Sequence, residues 1–265
     1  MSPSRETELR ALIARPFAHR GLHGSGRIEN SRAAFEAAIA ARHGIELDVQ
    51  LTGDGQAVVF HDEWLHRLTE EEGVVRGRST AELGRIRLRD SDETIPSLPQ
   101  ILALIAGQAP LLIEVKAPNR EVGALCRAVS GALKGYMGPV AVMSFNPEIG
   151  RWFAKHDPAR LRGLVVTEAR KPWRGRLKRR LSLWRSKADF LAYDIRDLPS
   201  RFAEAARRKG LKVTTWTVRT MAERARAAEH ADQIIYEVEV RSPLGAGGGR
   251  DGSDFVAQQE VRRER

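Results

Sequence analysis

The sequence predicts a single (β/α)8 barrel with one additional antiparallel strand, and three observations support that fold class. The chain has 265 residues, a length at which such a barrel forms as one domain. Short apolar runs alternate with longer segments of helical character, a pattern typical of a parallel sheet wrapped in helices. Eight of these runs have the spacing of barrel strands, while a ninth follows the second strand too closely for a helix to lie between them.

The predicted elements follow one another in the order that a barrel requires. The barrel strands are expected at residues 17–19, 44–50, 111–116, 140–145, 163–167, 190–194, 212–218 and 233–236. The helices between them are expected at residues 31–42, 97–106, 120–133, 199–209 and 220–229. Asn30 or Ser31 is the expected N-cap of the first helix. The barrel domain is thereby predicted at residues 16–240, after an N-terminal helix or extension at 1–15 and before a flexible tail at 241–265.

The ninth run, residues 57–61, is predicted to turn back against the second strand. A parallel crossover needs about a dozen residues, whereas Asp54-Gly55 is a strong hairpin signal. If these two residues form the turn, the pairing that follows places Asp48 opposite His61. The hairpin would then bring two chemically active side chains together.

Composition and charge exclude several classes of protein. With 42% hydrophobic and 29% charged residues, the chain has the composition of a soluble globular protein rather than a disordered or fibrous one. It has no apolar run of about eighteen residues, its N-terminus lacks the apolar stretch of a signal peptide, and Cys126 has no second cysteine to pair with. Cytoplasm is the expected compartment. The net charge of +10 predicts encounters with anions: nucleic acid, acidic lipid surfaces or phosphate-bearing substrates.

Two predicted strands carry charged residues at alternate positions. Because side chains alternate across a strand, Glu46 and Asp48 share one face, and Glu114 and Lys116 share one face of another strand. Three carboxylates at a barrel mouth form an oxygen-rich set that favours Mg²⁺ or Ca²⁺ over zinc. The alternative, ion pairs on an exposed sheet surface, is disfavoured because barrel strands are normally buried on both faces.

Two histidines lie where predicted strands end, beside these carboxylates. His19 ends the first strand and His61 ends the hairpin run. An imidazole titrates near neutral pH, so one histidine can accept a proton while the other donates one to a leaving oxygen. For each histidine alone, a purely structural role is the alternative.

Several short motifs carry a resemblance to a known family. They are His19-Arg20-Gly21, Glu29-Asn30-Ser31, Glu46-Leu47-Asp48-Val49, Val58-Val59-Phe60-His61-Asp62, Ile95-Pro96-Ser97-Leu98, Ile113-Glu114-Val115-Lys116 and Trp216-Thr217-Val218. Together they resemble the signature of glycerophosphodiester phosphodiesterases, barrels of the phosphatidylinositol-phospholipase-C-like type. The chain departs from the usual motifs at Ile28 for Pro, at Arg219 for Asn, and at Tyr236-Glu237 for Thr-Asp.

The resemblance implies a (β/α)8 barrel that hydrolyses glycerophosphodiesters to glycerol phosphate and an alcohol. By position it implies metal ligands at Glu46, Asp48 and Glu114, an acid–base pair at His19 and His61, phosphate contacts at Arg20 and Lys116, and further substrate-binding residues at Glu29 and Trp216. Glu29 could equally coordinate the metal directly or contact the residues that coordinate it. For Trp216 the alternative is a packing role in the barrel. Two other functions stay open: a lysophospholipid phosphodiesterase that acts at a membrane surface, and a membrane-binding barrel that has lost activity.

The segment 170–187 is unusually basic, with nine Lys or Arg residues. Its apolar residues Trp173, Leu177, Leu181 and Trp184 recur every three or four positions, as they would on one side of a helix. The favoured interpretation is that this stripe faces the core and the charges form a solvated rim. The alternative is docking on an anionic membrane, which would make the protein peripheral at the inner membrane face. The segment has no recognised nucleic-acid-binding motif, so no specific nucleic acid is expected as a partner.

Overall fold

The computed structural model of the chain describes residues 3–168 and 174–238. Trp173 and the predicted tail at 241–265 lie outside these ranges. In the described part of the chain, the strands are β1 (Phe17–Ala18), β2 (Gly44–Leu51), β3 (Ala57–Val59), β4 (Leu111–Val115), β5 (Val140–Ser144), β6 (Leu161–Val166), β7 (Phe190–Asp194), β8 (Lys212–Val218) and β9 (Gln233–Tyr236). Parallel pairing runs β1-β2-β4-β5-β6-β7-β8-β9 and returns to β1. The predicted (β/α)8 barrel is confirmed.

In the described part of the chain, helices lie before the first strand and between the strands. They are α1 (Pro3–Leu12), α2 (Arg32–Ala40), α3 (Thr80–Leu83), α4 (Leu98–Ile105), α5 (Gly123–Ala132), α6 (Pro147–His156), α7 (Arg174–Ser186), α8 (Arg201–Arg208) and α9 (Met221–His230). Ser31, not Asn30, caps α2, because its side chain accepts from the backbone N–H of Ala34. Helix α6 was not predicted, although it begins with the familiar pair of an Asn cap and Pro at the first position, Asn146-Pro147.

The barrel interior is filled by apolar side chains at the amino end of its strands and carries charged side chains at their carboxyl end. Leu9, Leu12 and Ile13 pack in one apolar cluster with Phe17, at the start of β1, and with apolar residues at the start of other strands. Helix α1 therefore closes the amino end of the barrel. The charged side chains of the interior lie at the carboxyl end, where enzymes of this fold have their active sites.

The antiparallel strand is present, but its register differs from the prediction. Val49 pairs with Val59, and Thr52 N–H donates to Gln56 O, so the loop has three residues rather than two. Its last residue, Gly55, has φ 79°, the left-handed conformation that a three-residue hairpin loop requires. Asp48 consequently faces Phe60, and the predicted opposition of Asp48 and His61 is wrong. The residues of the loop fit both turns, so the sequence did not separate them.

A small second core lies between β3 and α4. It contains buried apolar residues that share no cluster with the barrel interior: Val58, Phe60, Leu65, Val75, Leu83, Ile86, Leu88 and Ile95. Because His61 and Asp62 directly follow Phe60, this core fixes the backbone from which both side chains project.

The apolar stripe of α7 faces outward, so the favoured core-facing interpretation is wrong. Leu177, Leu181 and Trp184 are 75%, 56% and 63% exposed. The inward side instead carries Leu183, which packs against an apolar cluster that includes residues of β6 and β7, and buried Ser186, which lies against Gly150 of α6, where an added Cβ would meet Ser186 O at 2.4 Å. Because this side packs on the barrel, Leu177, Leu181 and Trp184 lie on the opposite side. Among the described residues, no helix has the length and apolar character needed to cross a bilayer.

Candidate active site

Three carboxylates meet at the carboxyl end of neighbouring strands. Glu46 and Asp48 alternate along β2, and the register between β2 and β4 places Glu114 directly beside Asp48. All three residues are buried, and their carboxylate oxygens lie within 4.8 Å of one another. Strand alternation thus brings the three predicted metal ligands to one place.

Two cations neutralise this cluster in part. Lys116 Nζ lies 3.0 Å from Asp48 Oδ1 and 2.6 Å from Glu114 Oε1. Arg20 donates its backbone N–H to Glu46 Oε2 at 3.0 Å, and its Nε lies 3.3 Å from Asp48 Oδ2. Three carboxylates against two cations leave one net negative charge. Arg20 and Lys116, the two predicted phosphate contacts, are therefore paired with carboxylates in this structure.

The pKa values of the carboxylates show that this compensation is uneven. Burial and the charges of Asp48 and Glu114 raise the pKa of Glu46 well above its ordinary value. Burial alone would also raise the pKa of Asp48, but Lys116, His61 and Arg20 outweigh it and lower that pKa. Glu46 is thus the carboxylate that lacks a full counter-charge. A hard divalent cation, which prefers carboxylate oxygens, fits this donor set.

His19 follows β1 and lies between two carboxylates. Its Nδ1 is 2.6 Å from Glu237 Oε1, and its Nε2 is 3.9 Å from Glu46 Oε2. The pKa of Glu237 is lowered by its bond to His19 and by Arg219, although burial opposes this, so the carboxylate is ionised and only accepts. The proton of neutral His19 therefore lies on Nδ1. Burial and the charge of Arg20 lower the pKa of His19 to about 4.

The loop that carries His19 is held tightly against α2. Gly21 has φ 80°, and an added Cβ would lie 2.9 Å from atoms of Ala34 and Phe35. A larger residue would therefore displace the loop from the helix. The position of His19 is set by this contact as well as by β1.

His61 has an arrangement like that of His19. Its Nδ1 is 2.6 Å from Asp62 Oδ1, and Asp62 Oδ2 accepts from Arg67 Nε. Burial and the charge of Lys116 lower the pKa of His61. Each predicted catalytic histidine thus has a carboxylate on Nδ1, and each of these carboxylates is paired with an arginine.

Glu29 contacts arginines rather than the three-carboxylate cluster. Its Oε1 accepts from Arg20 Nη1 at 2.8 Å and from Arg67 Nη2 at 2.6 Å, and its Oε2 accepts from Arg67 Nη1 at 3.1 Å. Burial opposes ionisation, but these two cations lower the pKa of Glu29 to about 2. Glu29 therefore orders two cations at the site edge, and direct substrate binding by its carboxylate stays a prediction.

Trp216 lies in the barrel interior and reaches the mouth. Its Nε1 donates to Ala192 O at 2.9 Å, which fixes the indole, and its ring meets Phe145 edge-on with centroids 5.5 Å apart. Phe145 is 41% exposed. Trp216 thus packs in the interior cluster on one side and supports an exposed aromatic on the other, so both interpretations of this residue have a structural basis.

Comparisons with known proteins identify the family of the chain. The family model for the glycerophosphoryl diester phosphodiesterase family matches residues 19–238. The chain belongs to the glycerophosphoryl diester phosphodiesterase family. A glycerophosphodiester phosphodiesterase of Caldanaerobacter subterraneus is 31% identical over 213 residues, which cover 76% of this chain and 84% of that relative. A shorter match, 41% identical over 110 residues, covers 39% of this chain and 44% of a glycerophosphodiester phosphodiesterase of Bacillus altitudinis.

A solved structure supports the fold of this phosphodiesterase. A phosphodiesterase of Oleispira antarctica, solved in complex with the product sn-glycerol-3-phosphate, has a TM-score of 0.73 and 24% identity, and the match covers 85% of this chain and 94% of that one. The predicted family and the predicted enzyme class, a phosphoric diester hydrolase, are confirmed by the family match and the curated relatives.

Sequence reasoning missed several residues that surround the site of this glycerophosphodiester phosphodiesterase. Asn30, expected at most to cap a helix, instead donates its Nδ2 to Asp48 Oδ2 at 3.0 Å and accepts from Asp48 N–H. Its φ of 58° turns the side chain toward the carboxylate. Asp62 was detectable, because it directly follows His61 in the motif.

Two of the departures from the usual family motifs contact each other. Arg219 Nε donates to Glu237 Oε2 at 2.7 Å, and the other oxygen of Glu237 accepts from His19. Arginine and glutamate thus replace the usual residues as a pair. In the linear sequence 18 residues separate them, and nothing there connected either one to His19.

Proposed function

We propose that this phosphodiesterase hydrolyses glycerophosphodiesters to glycerol phosphate and an alcohol with the aid of one divalent cation, Mg²⁺ or Ca²⁺. Glu46, Asp48 and Glu114 would hold the cation, and His19 and His61 would transfer protons. The observation that carries this proposal is the meeting of three buried carboxylates beside two histidines, each with a carboxylate on its Nδ1.

The electrostatics support an anionic substrate beside a divalent cation. Arg20 and Lys116 offset only part of the charge of the three carboxylates, so a divalent cation would complete the compensation there, and both cationic side chains lie where they could contact the phosphodiester anion. A bound cation would supply charge stabilisation and orientation at the phosphoryl oxygens. Arg20 and Lys116 would donate to the same oxygens.

The histidines supply the proton transfers. In the first step, a hydroxyl of the substrate's glycerol attacks phosphorus as the bond from phosphorus to the leaving alcohol breaks. One neutral imidazole accepts the hydroxyl proton at Nε2, and the other, which enters the step as an imidazolium, donates its Nε2 proton to the leaving alcohol. Water then opens the cyclic phosphate with the two roles reversed. Glu237 and Asp62 keep each Nδ1 protonated, so that each Nε2 is the atom that exchanges the proton.

A matrix of substrates and cations tests the proposal. Glycerophosphocholine, glycerophosphoethanolamine and glycerophosphoglycerol are each assayed with Mg²⁺, Ca²⁺ and Mn²⁺, and again after EDTA. We expect release of glycerol phosphate that EDTA abolishes and that His19→Ala or His61→Ala lowers by about 10²–10⁴-fold. No turnover in any cell of the matrix would contradict the proposal.

The same assay separates the other two functions. Lysophosphatidylcholine serves as a parallel substrate, and preferential turnover of it would identify a lysophospholipid phosphodiesterase. An inactive membrane-binding barrel would show no change on His19→Ala with any substrate. Because the three-carboxylate cluster is intact, we expect turnover of the deacylated diesters.

A further inference from the structure

Helix α7 has an outer face that combines exposed apolar side chains with exposed cations. Exposed residues at successive turns define it: Arg176, Leu177, Lys178, Arg180, Leu181 and Trp184. Leu177, Leu181 and Trp184 lie at i, i+4 and i+7, so they form one stripe along the helix. Buried Ser186 lies on the opposite side. The stripe is therefore directed away from the barrel.

Cations flank this stripe on both sides. Arg176 and Arg180 follow one edge and Lys178 the other, and all three are exposed. The helix has six basic residues among 13 and no acidic residue. Its remaining described cations include Arg179 and Arg185, which pair with Glu168 and Glu148 of the body. Arg179 and Arg185 thus point toward the body of the protein, whereas Arg176, Lys178 and Arg180 point to solvent beside the stripe.

The combination of exposed apolar residues and cations decides what surface fits. A nucleic acid would satisfy the cations but would leave two leucines and a tryptophan in water. A second copy of the same face would cover the apolar residues but would bring like charges together. A bilayer with acidic headgroups satisfies both, because the apolar residues enter the boundary with the acyl chains while the cations meet phosphate and carboxylate groups.

We propose that the α7 outer face docks this enzyme on anionic lipid bilayers. Thirteen residues span about 20 Å, long enough for an in-plane anchor. Trp184 lies near the C-terminal end of the stripe, and Lys187 Nζ lies 5.0 Å from its ring centroid, so an interfacial aromatic and a cation contact the headgroups together. This inference does not depend on the proposed reaction.

Vesicle co-sedimentation of the full-length protein tests the docking. Vesicles of phosphatidylcholine with phosphatidylserine are compared with vesicles of phosphatidylcholine alone, at low salt and at about 1 M salt, where the screening length is about 3 Å. We expect binding to the anionic vesicles at low salt only. Turnover of a soluble glycerophosphodiester is measured on each variant, so that a folding defect or a failed function is seen separately from a docking defect.

Two triple variants dissect the face. R176Q/K178Q/R180Q should lower affinity for the anionic vesicles about a hundredfold, and L177A/L181A/W184A at least about tenfold. One matched control, R201Q/R208Q/K209Q, removes the same charge from α8 and the residue that follows it. The other, M137A/M221A, removes exposed apolar side chains elsewhere. We expect the apolar control to bind like the wild type and the charge control to lose much less affinity than its α7 counterpart.

Three outcomes would overturn the proposal. One is that the wild type does not bind anionic vesicles at low salt. Another is that the α8 charge control weakens binding as much as the α7 charge variant, which would make the net charge sufficient. The last is a wild-type dimer that L177A/L181A/W184A converts to a monomer without change in vesicle binding, which would make the face a subunit interface.

Discussion

The barrel mouth and the α7 outer face are both rich in basic residues, but the basic residues are largely buried and paired at the mouth and exposed on α7. At the mouth, Arg20 and Lys116 are largely buried, and each contacts carboxylates. On α7, Arg176, Lys178 and Arg180 are exposed. A buried charge without a partner is costly, whereas an exposed one is solvated at little cost. Substitutions at the mouth should therefore disturb activity and stability, while those on α7 should disturb only association.

The largest effect is expected at the centre of the mouth. Asp48→Asn removes one of the three carboxylates while keeping its shape, and several kcal/mol of transition-state stabilisation should be lost, so kcat/KM should fall on the order of a thousandfold. Steady-state kinetics measure it, with circular dichroism to verify folding. Asp92→Asn, at a 95% exposed side chain, is the matched control and should leave kcat/KM unchanged.

A second effect concerns the stability that Glu29 contributes. Its pKa is about 2 in the folded protein and near 4.5 ordinarily, so its ionisation stabilises the fold by about 3 kcal/mol. That contribution is complete above pH about 4.5 and is lost as the pH falls toward 2. In urea unfolding, the free energy of unfolding of Glu29→Gln should be lower than that of the wild type at pH 7, and this difference should shrink as the pH is lowered.

The control for Glu29 is an exposed glutamate with the same substitution. Glu121→Gln changes a side chain at the surface and should alter the free energy of unfolding little at either pH. If the deficit of Glu29→Gln were the same at pH 7 and pH 3, the depressed pKa would not be its source.

A smaller effect is expected behind His19. Glu237→Gln weakens the hydrogen bond that keeps the proton on His19 Nδ1, and kcat should fall about 10–100-fold with little change in KM. Steady-state kinetics in a His19→Ala background supply the control. In that background Glu237→Gln should lower kcat almost no further, because Glu237 acts through His19. Additive losses would assign Glu237 a role separate from His19.

The smallest effect on stability is expected on α7. R176Q/K178Q/R180Q should change the free energy of unfolding by less than about 1 kcal/mol, because exposed charges contribute little. Urea unfolding measures it beside Glu29→Gln. A loss comparable to that of Glu29→Gln would mean that these cations are part of the fold, and the contrast between the two regions would fail.

Local regularity explains which parts of the site could be predicted. Strand alternation alone put Glu46 and Asp48 on one face and Glu114 and Lys116 on another, and the parallel register then joined them. The hairpin register was missed because the residues around Gly55 fit a loop of two or of three residues. A shift of one residue is enough to reverse which side chains face each other.

Contacts between distant parts of the chain could not be predicted in the same way. Glu237 bonds His19 across 218 residues, and only closure of the barrel between β9 and β1 brings them together. The orientation of α7 was missed for a related reason. A helical pattern shows that Leu177 and Trp184 share a side, but the contacts of Leu183 and Ser186 on the other side decide which side packs.

Calorimetric titration of Mg²⁺ or Ca²⁺ into the metal-stripped protein is the most direct test of the cation site at Glu46, Asp48 and Glu114. The wild type should bind one ion per chain, Glu46→Gln, Asp48→Asn and Glu114→Gln should each abolish that binding, and His61→Ala should retain it. Undiminished binding in the three carboxylate variants, or no binding in the wild type, would contradict the assignment of the cation to these residues.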